Sequence, residues 1–354
     1  MRILFLTPYP RSAAPSQRFR FEQYYGALEA RGITFHSEAF WTDGAWKILY
    51  AKGKFAAKIF WLLYGWLNRL LLVLRLHKYD YVFIHRETDP LGLPLFPWIY
   101  AKLAGKKIIF DYDDAIWIPN ASESNRMFMR FKNWNNTRYL CKLAYKVSAG
   151  NEFLCDFARV VNPNAVYNPT TIDTEHLHNR LKDQHTRTFT IGWTGTHSTI
   201  KYLEDILPVL EELAQTLDFT LAVICDKKPA FDYPFVRFIP WNKPTEIDDL
   251  LQFNIGLMPL TEDKWSNGKC GFKALQYMAL GIPALVSPVG VNTRIVDHGV
   301  NGFICANDTD WKKYITDIYN NRELLYTLSA NTRKKIEDEY SVKSNTENFV
   351  SLFQ

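Results

Sequence analysis

Cysteine is scarce and dispersed in this chain. Among 354 residues there are five, Cys141, Cys155, Cys225, Cys270 and Cys305, and even the closest pair, Cys141 and Cys155, stands 14 positions apart. That spacing excludes a CxxC zinc or redox motif, and the odd count argues against a secreted disulfide framework, so a reducing cytoplasm is the expected home. Long charge-free apolar runs are absent too. In the most apolar stretch, Ile48 to Leu76, Lys58 and Arg69 enclose only the ten residues 59–68, well short of the roughly 20 that a spanning helix requires. The opening "MRILFLTPYP" lacks the basic, apolar and small-residue layout of a signal peptide and reads as a first β-strand. Internal repeats and low-complexity tracts are missing as well.

What is present is apolar mass and an uneven charge. Hydrophobic residues make up 47% of the chain, enough for two cores at about 150 residues per domain. The net charge of +5 divides into 25 basic against 16 acidic residues through residue 185 (+9), and 17 against 21 after it (−4). The N-terminal half is the one suited to an anionic membrane or a phosphorylated substrate. Dispersed basic residues with no familiar reading motif make nucleic acid a poor partner. The Ile48 to Leu76 stretch, flanked by Lys47, Lys52, Lys54 and Lys58 and carrying Trp61 and Trp66, allows two readings: a helix in the plane of a membrane interface, or a crossover helix packed on the sheet.

Short β-type runs alternate with helical patterns throughout. "ILFLTPY", "YDYVFIHR" and "KKIIFDYDD" in the first half and "TFTIGWTG", "FTLAVICD", "VRFIPW", "NIGLMPL" and "PALVSPV" in the second predict two doubly wound α/β domains with parallel sheets. The polar stretch Asn168 to Arg187 marks the boundary, giving domains 1–172 and 173–339 with a final helix at about 340–354.

Two stretches have the layout of phosphate-binding turns. In "WSNGKCGFKALQYMALG" a helix is expected to begin near Gly271, after a loop that holds Lys269 and Cys270 and just before Phe272 and Lys273. Unpaired amides at a helix start stabilise a diphosphate, and neighbouring ammonium groups add charge where a leaving diphosphate develops it. "TIGWTGTHSTIKYL" places Gly195, Thr196 and Lys201 between a strand and a helix. With only Gly192 and Gly195 it is neither a Walker A loop nor a full dinucleotide fingerprint. His197 is open between phosphate contact and simple exposure. Asp226 and Trp241 follow strands and are candidates for the base side of a nucleotide.

In the first half "YPRSAAPSQRFRF" offers Arg11, Ser16, Arg18 and Arg20 at a strand's carboxyl end, where forked guanidinium groups suit a phosphate such as that of a polyprenyl-diphosphate acceptor. "HRE" (His85, Arg86, Glu87) ends another strand. "DYDD", Asp111 to Asp114, reads as a metal-binding DxD, as carboxylates that orient or deprotonate an acceptor hydroxyl, or as a turn cap.

The order "IGWTGT…K", "NIGLMPL" and "KCGFKALQYMALGIPALVSPVGVNTRIVDHGVNGFI" resembles the C-terminal half of family 4 glycosyltransferases of GT-B fold, and the strand-loop-helix "TPYPRSAAPSQRFRFEQYYGALEARGI" with "VYNPTTIDTEHL" resembles their N-terminal half. The resemblance implies two Rossmann-like domains facing each other across a cleft, with the C-terminal helix crossing back to the first. It implies transfer from a nucleoside-diphosphate sugar to an acceptor with retention and without metal or other cofactor. The N-terminal charge of +9 and the Ile48 to Leu76 stretch add the expectation of a saccharide or lipid-linked acceptor in surface-glycan synthesis, with the protein cytoplasmic and peripheral on the inner face of the membrane. Two family glutamates seven residues apart are missing: Gly268 and Gln276 stand in their places, while Gly271 falls on a family glycine. Lys201 matches the family lysine, and Thr196 replaces its arginine. Lys201 and Lys273 are therefore expected to stabilise the leaving diphosphate, with Lys269 also beside it, and Asp113 and Asp114 to face the acceptor. A sugar-nucleotide epimerase and a non-catalytic binding protein of the same fold are the alternatives.

Overall fold

The computed structural model describes residues 1–49, 51, 53–119 and 132–354. The chain forms two compact units: Met1–Thr170 with Thr346–Gln354, and Thr171–Asn345.

In the first unit six parallel strands, β1 (Arg2–Thr7), β2 (Thr34–Ala39), β3 (Tyr81–His85), β4 (Lys107–Tyr112), β5 (Lys146–Ala149) and β6 (Ala165–Tyr167), run in the order β2-β1-β3-β4-β5-β6. Each crossover between parallel neighbours must climb back over a sheet face, which buries both faces of the central strands. Ile3 to Leu6 and Ile108 to Phe110 are accordingly inaccessible. Phe5 is ringed by Phe83 at 4.9 Å and Phe21 at 5.5 Å between centroids.

Arg20 closes α1 (Pro15–Arg20), a helix that begins with proline at its first position, where a missing N–H costs nothing. Its guanidinium is fully buried and 2.5 Å from Asp111 in β4, with further bonds to the Asn168 carbonyl and, at 3.3 Å, Ser148. His85 Nδ1 at 2.8 Å and the Ser148 hydroxyl at 2.6 Å complete the shell around that carboxylate. Burial alone would raise the Asp111 pKa, but Arg20 and His85 outweigh it and hold the group well below the usual carboxylate range.

The long apolar stretch is α2 (Phe55–Leu71), continued by a tighter turn over Leu72–Lys78. Its inner face carries Leu62, Gly65 and Arg69. A Cβ on Gly65 would sit 2.6 Å from the Phe40 ring, so only glycine allows this approach. Arg69 donates to the carbonyls of Thr88, Thr7 and Glu38. The helix is thus pinned along the unit, as the crossover reading expects of one face. Tyr50 and Lys52 lie outside the described residues. The strand β3 is followed by α3 (Leu95–Trp98), which runs on to Leu103 with a wider turn.

The second unit repeats the plan with β7 (Phe189–Gly195), β8 (Phe219–Cys225), β9 (Val236–Pro240), β10 (Ile255–Met258), β11 (Ala284–Val286) and β12 (Gly302–Ile304), in the order β12-β11-β10-β7-β8-β9, all parallel. Its helices include α4 (Lys201–Glu204), α5 (Glu246–Leu250), α6 (Lys264–Asn267) and α7 (Phe272–Ala279). The helix α8 (Val342–Val350) carries the chain back to the first unit. The returning segment begins at Thr346, six residues later than the sequence division at 340, because Ser341 still bridges Ile172 of the second unit. Phe349 stacks on Tyr24 at 4.3 Å, and Phe353 lies 5.7 Å from Tyr81.

Two outcomes follow for the first unit. Phe349→Ala opens a fully buried site and is expected to cost about 3–5 kcal/mol, read as lost hydrogen-exchange protection in β1 and β3 with β7 and β8 unchanged. Asp111→Asn leaves Arg20 buried without its counter-charge and is expected to cost about 3–5 kcal/mol in denaturant unfolding. Because the folded Asp111 pKa is depressed, its contribution is complete above the unfolded value of about 3.9 and is lost as pH falls through the folded one. Acid unfolding of the wild type should therefore begin in this unit, and a variant as stable as wild type at neutral pH would contradict the account.

Candidate functional site

In a parallel sheet every carboxyl end lies on the same edge, so the loops after β7, β8, β9 and β10 gather there. Those are the loops that hold the predicted donor residues.

The loop after β7 is drawn tight. Gly195 is required at its start, since a Cβ there would lie 2.3 Å from the Trp193 ring and 2.8 Å from Thr199 Oγ1. Thr196 N–H donates to Thr199 Oγ1 at 3.1 Å, Thr199 N–H returns to the Thr196 carbonyl, and the Thr196 hydroxyl meets Ser198 at 2.8 Å. His197 N–H donates to Asp226 Oδ1 at 2.7 Å, and the His197 ring meets Oδ2 at 2.7 Å. Three expectations change. The amides of Thr196, His197 and Thr199 are bound within the protein, so this turn does not offer them to an anion. The helix that follows, α4, is a single turn with a correspondingly small dipole. Asp226, expected near a base, is tied to His197 instead. Burial opposes its ionisation, but the His197 bonds outweigh that and hold its pKa below the ordinary value. Lys201 is exposed, its ammonium 4.9 Å over the Tyr202 ring. Trp241, after β9, is 37% exposed.

The loop after β10 contains a one-turn helix, α6, that the glycine-loop reading did not foresee. Asp263 caps it by accepting from Ser266 N–H at 2.6 Å. Gly268 ends it and is buried, without a side chain to offer a sugar. Gly271 then takes φ +70°, and a Cβ there would meet Ile295 Cδ1 at 2.1 Å. Both the left-handed backbone and the contact demand glycine. α7 begins at Phe272, one residue from the position read in the sequence, and its N-cap is Gly271, which has no side chain to offer. Lys269, beside buried Cys270, lies 5.4 Å over Trp265, and Lys273 lies 5.6 Å over Trp193. Trp193 is in β7, so Lys273 and Gly195 are brought to one place by the end of that strand.

Gln276 is buried and its amide is directed to Glu246 Oε1 at 3.4 Å. The expected contact of Gln276 with ribose hydroxyls is replaced by this pairing. Glu246, the first residue of α5, is a buried carboxylate that sequence reading missed. Its only signal was an acidic residue at a helix start, a common placement that says nothing of burial.

A 270 Å³ cavity opens at the same sheet edge but is lined by Tyr202, Asp205, Thr261, Glu262, Ser287 and Asp308 among others, and by none of the predicted donor residues. Its three carboxylates suit a diphosphate poorly.

In the first unit the expected acceptor groups separate into two sets. Arg20, expected to bind the acceptor, is instead the buried partner of Asp111. That pair also withdraws Asp111 from any DxD metal site, and no group of three or more metal-ligating side chains occurs among the described residues. Arg86 takes φ +61° and bridges Asp113 at 2.7 Å and Asp114 at 2.7 Å. Burial would raise the Asp113 pKa, but the Arg86 charge outweighs it and lowers it. A carboxylate held ionised in this way is a weak base, which argues against the deprotonating role expected of Asp113. Ser16 and Arg18 are half-buried, and Arg18 lies 4.9 Å over Phe19.

Residues 234–335 match the family model described as "Glycosyl transferases group 1". Spore coat protein SA of Bacillus subtilis is 25% identical over 124 residues, which is 34% of this chain and only 32% of that protein, so the match spans about a third of its length. Sucrose-phosphate synthase from Thermosynechococcus elongatus superposes with a TM-score of 0.72 at 13% identity, over 99% of this chain and 98% of that one. HepE of Anabaena, solved in complex with UDP, gives 0.63 at 13% identity over 99% of both chains. Residues 234–335 are thus similar to the glycosyl transferases group 1 family, within an α/β architecture of two six-stranded parallel sheets that is the GT-B fold.

Proposed function

We propose that this protein transfers a sugar from a nucleoside-diphosphate sugar to an acceptor hydroxyl, with retention at the anomeric carbon and without a metal cofactor. The observation that carries the reading is the meeting of Lys273, the Gly271 turn and the end of β7 in the second unit. A helix start entered through a glycine, beside an ammonium group, favours an anion by its dipole and its charge, and a departing diphosphate is the anion that sugar transfer creates. The family match over this segment and the UDP held by HepE support it. Lys201 and Lys269 add positive charge nearby in sequence, and the first unit is assigned the acceptor through Ser16, Arg18 and Arg86 with its two carboxylates. A lipid-linked saccharide is the proposed acceptor class, and a cytoplasmic face the proposed location, in building a surface glycan.

One observation favours a second reading. Gly268 has no side chain, and Gln276 is turned to Glu246, so two groups that would touch the donor in the resembling family are lost or redirected. A protein that binds sugar nucleotides without turnover would have these features.

Thermal unfolding against a panel of UDP-, GDP- and dTDP-sugars separates the outcomes, since a ligand specific for the folded state raises the melting temperature by mass action. Stabilisation by one donor is expected, with slow hydrolysis of that donor in the absence of acceptor; stabilisation without any hydrolysis or transfer would favour the binding protein. Lys273→Ala and Lys201→Ala are each expected to lower turnover by on the order of a hundredfold, the usual loss for one electrostatic donor. Unchanged turnover in both would remove them from the site.

A further inference from the structure

The outer face of α2 is apolar where solvent-facing helices are polar. Phe55, Ile59, Phe60, Leu63, Leu67 and Leu70 are 46–66% exposed. With about 3.6 residues per turn these positions fall on one side of the helix, distinct from the Leu62, Gly65 and Arg69 face that is buried. The apolar surface continues at its C-terminal end, where Leu74 is 74% exposed. There the turn over Leu72–Lys78 lies against the Ile99–Leu103 segment, and Tyr100 donates to the Arg69 carbonyl at 3.0 Å. That neighbour brings Trp98 and Leu103, 46% and 69% exposed, to the same region. Of the 19 exposed large hydrophobic residues among those described, 12 fall in these two segments. Scattered exposure is ordinary; concentration of this kind marks a docking surface.

Charge selects the occupant. No acidic residue occurs between Asp43 and Asp80 or between Asp89 and Asp111. Exposed Lys54 stands at one end of the helix, and exposed Lys78 and Lys102 at the other. None of these three lysines makes an ion pair with a described residue. A second copy of the chain docked by the same face would bring these cations toward each other's, whereas an anionic lipid surface matches both the apolar face and its basic ends. By length and composition Phe55–Lys78 could cross a membrane. Its inner face cannot leave the protein, however, because Gly65 is seated against Phe40 and Arg69 is bound to three backbone carbonyls.

We infer that the first unit docks on an anionic bilayer through the outer face of α2 and the adjoining Leu95–Leu103 segment, lying in the headgroup region without spanning. The inference does not rest on the transfer reaction.

The test is co-sedimentation of the full chain with vesicles of phosphatidylcholine alone or mixed with phosphatidylglycerol, at low and high salt. The wild type is expected to partition onto the mixed vesicles at low salt and to be released by salt. The variant Leu63→Gln/Leu67→Gln/Leu70→Gln, altered only at exposed positions, should keep its melting temperature and lose more than about tenfold in partitioning. Lys54→Gln/Lys78→Gln/Lys102→Gln should weaken binding to the mixed vesicles by roughly a hundredfold, at about fivefold per charge, and leave any binding to neutral vesicles unchanged. Partitioning onto neither vesicle, or partitioning indifferent to both sets of substitutions, would overturn the inference. So would a concentration-dependent dimer that the leucine substitutions abolish while vesicle binding is absent, since a second copy would then be the occupant.

Discussion

The position of α7 depends on a ring laid over a bare strand. Gly256 in β10 has no side chain, and a Cβ there would stand 2.2 Å from Tyr277, so the Tyr277 ring rests directly on the backbone. Its hydroxyl accepts from Thr194 N–H in β7 at 2.9 Å and lies 3.4 Å from the Leu257 carbonyl. One tyrosine thereby ties the helix to two adjacent strands, and burial raises its pKa so that it stays a neutral phenol. Gly192 does the same for Phe253, where a Cβ would lie 1.9 Å from the ring. Residues four apart share a helix face, which is why Lys273, one turn before Tyr277, comes down over Trp193, the residue before Thr194. The placement of the ammonium group is set by a glycine and a phenol buried beneath the helix.

Opposing electrostatics divide the edge of the second sheet. Lysines gather where α7 begins, while the cavity beside it is acidic and the turn after β7 spends its amides on its own hydroxyls and on Asp226. Under the proposed function the helix start at Gly271 is therefore assigned more of the anion binding than the sequence, with its two similar turns, had suggested. In the first unit the same economy operates with opposite sign. Asp111 is held ionised by Arg20 and His85 in the interior, and Asp113 and Asp114 are held by Arg86 at the margin.

Much of this was legible in the residues. The alternation of apolar runs and helical patterns is a local signal, so both parallel sheets could be read, as could the helix start beside Gly271. The pairings were not legible, because they join distant positions. Arg20 and Asp111 are 91 residues apart, Gln276 and Glu246 30, and His197 and Asp226 29. An arginine is read as exposed until its counter-ion is known, and a glutamate at a helix start reads as a surface residue until the packing around it is seen. The apolar outer face of α2 lay between the two signals: periodicity marks a stripe, but only the fold says which stripe faces inward.

The return of the chain at Thr346 has a consequence for synthesis. Strands β1 to β6 leave the ribosome first, yet Tyr24, Tyr81 and Phe5 lack their covering rings until Phe349 and Phe353 emerge, after the whole of the second unit. The unit translated earliest is thus sealed last, and during that interval its uncovered aromatic surface is what a nascent-chain chaperone would find.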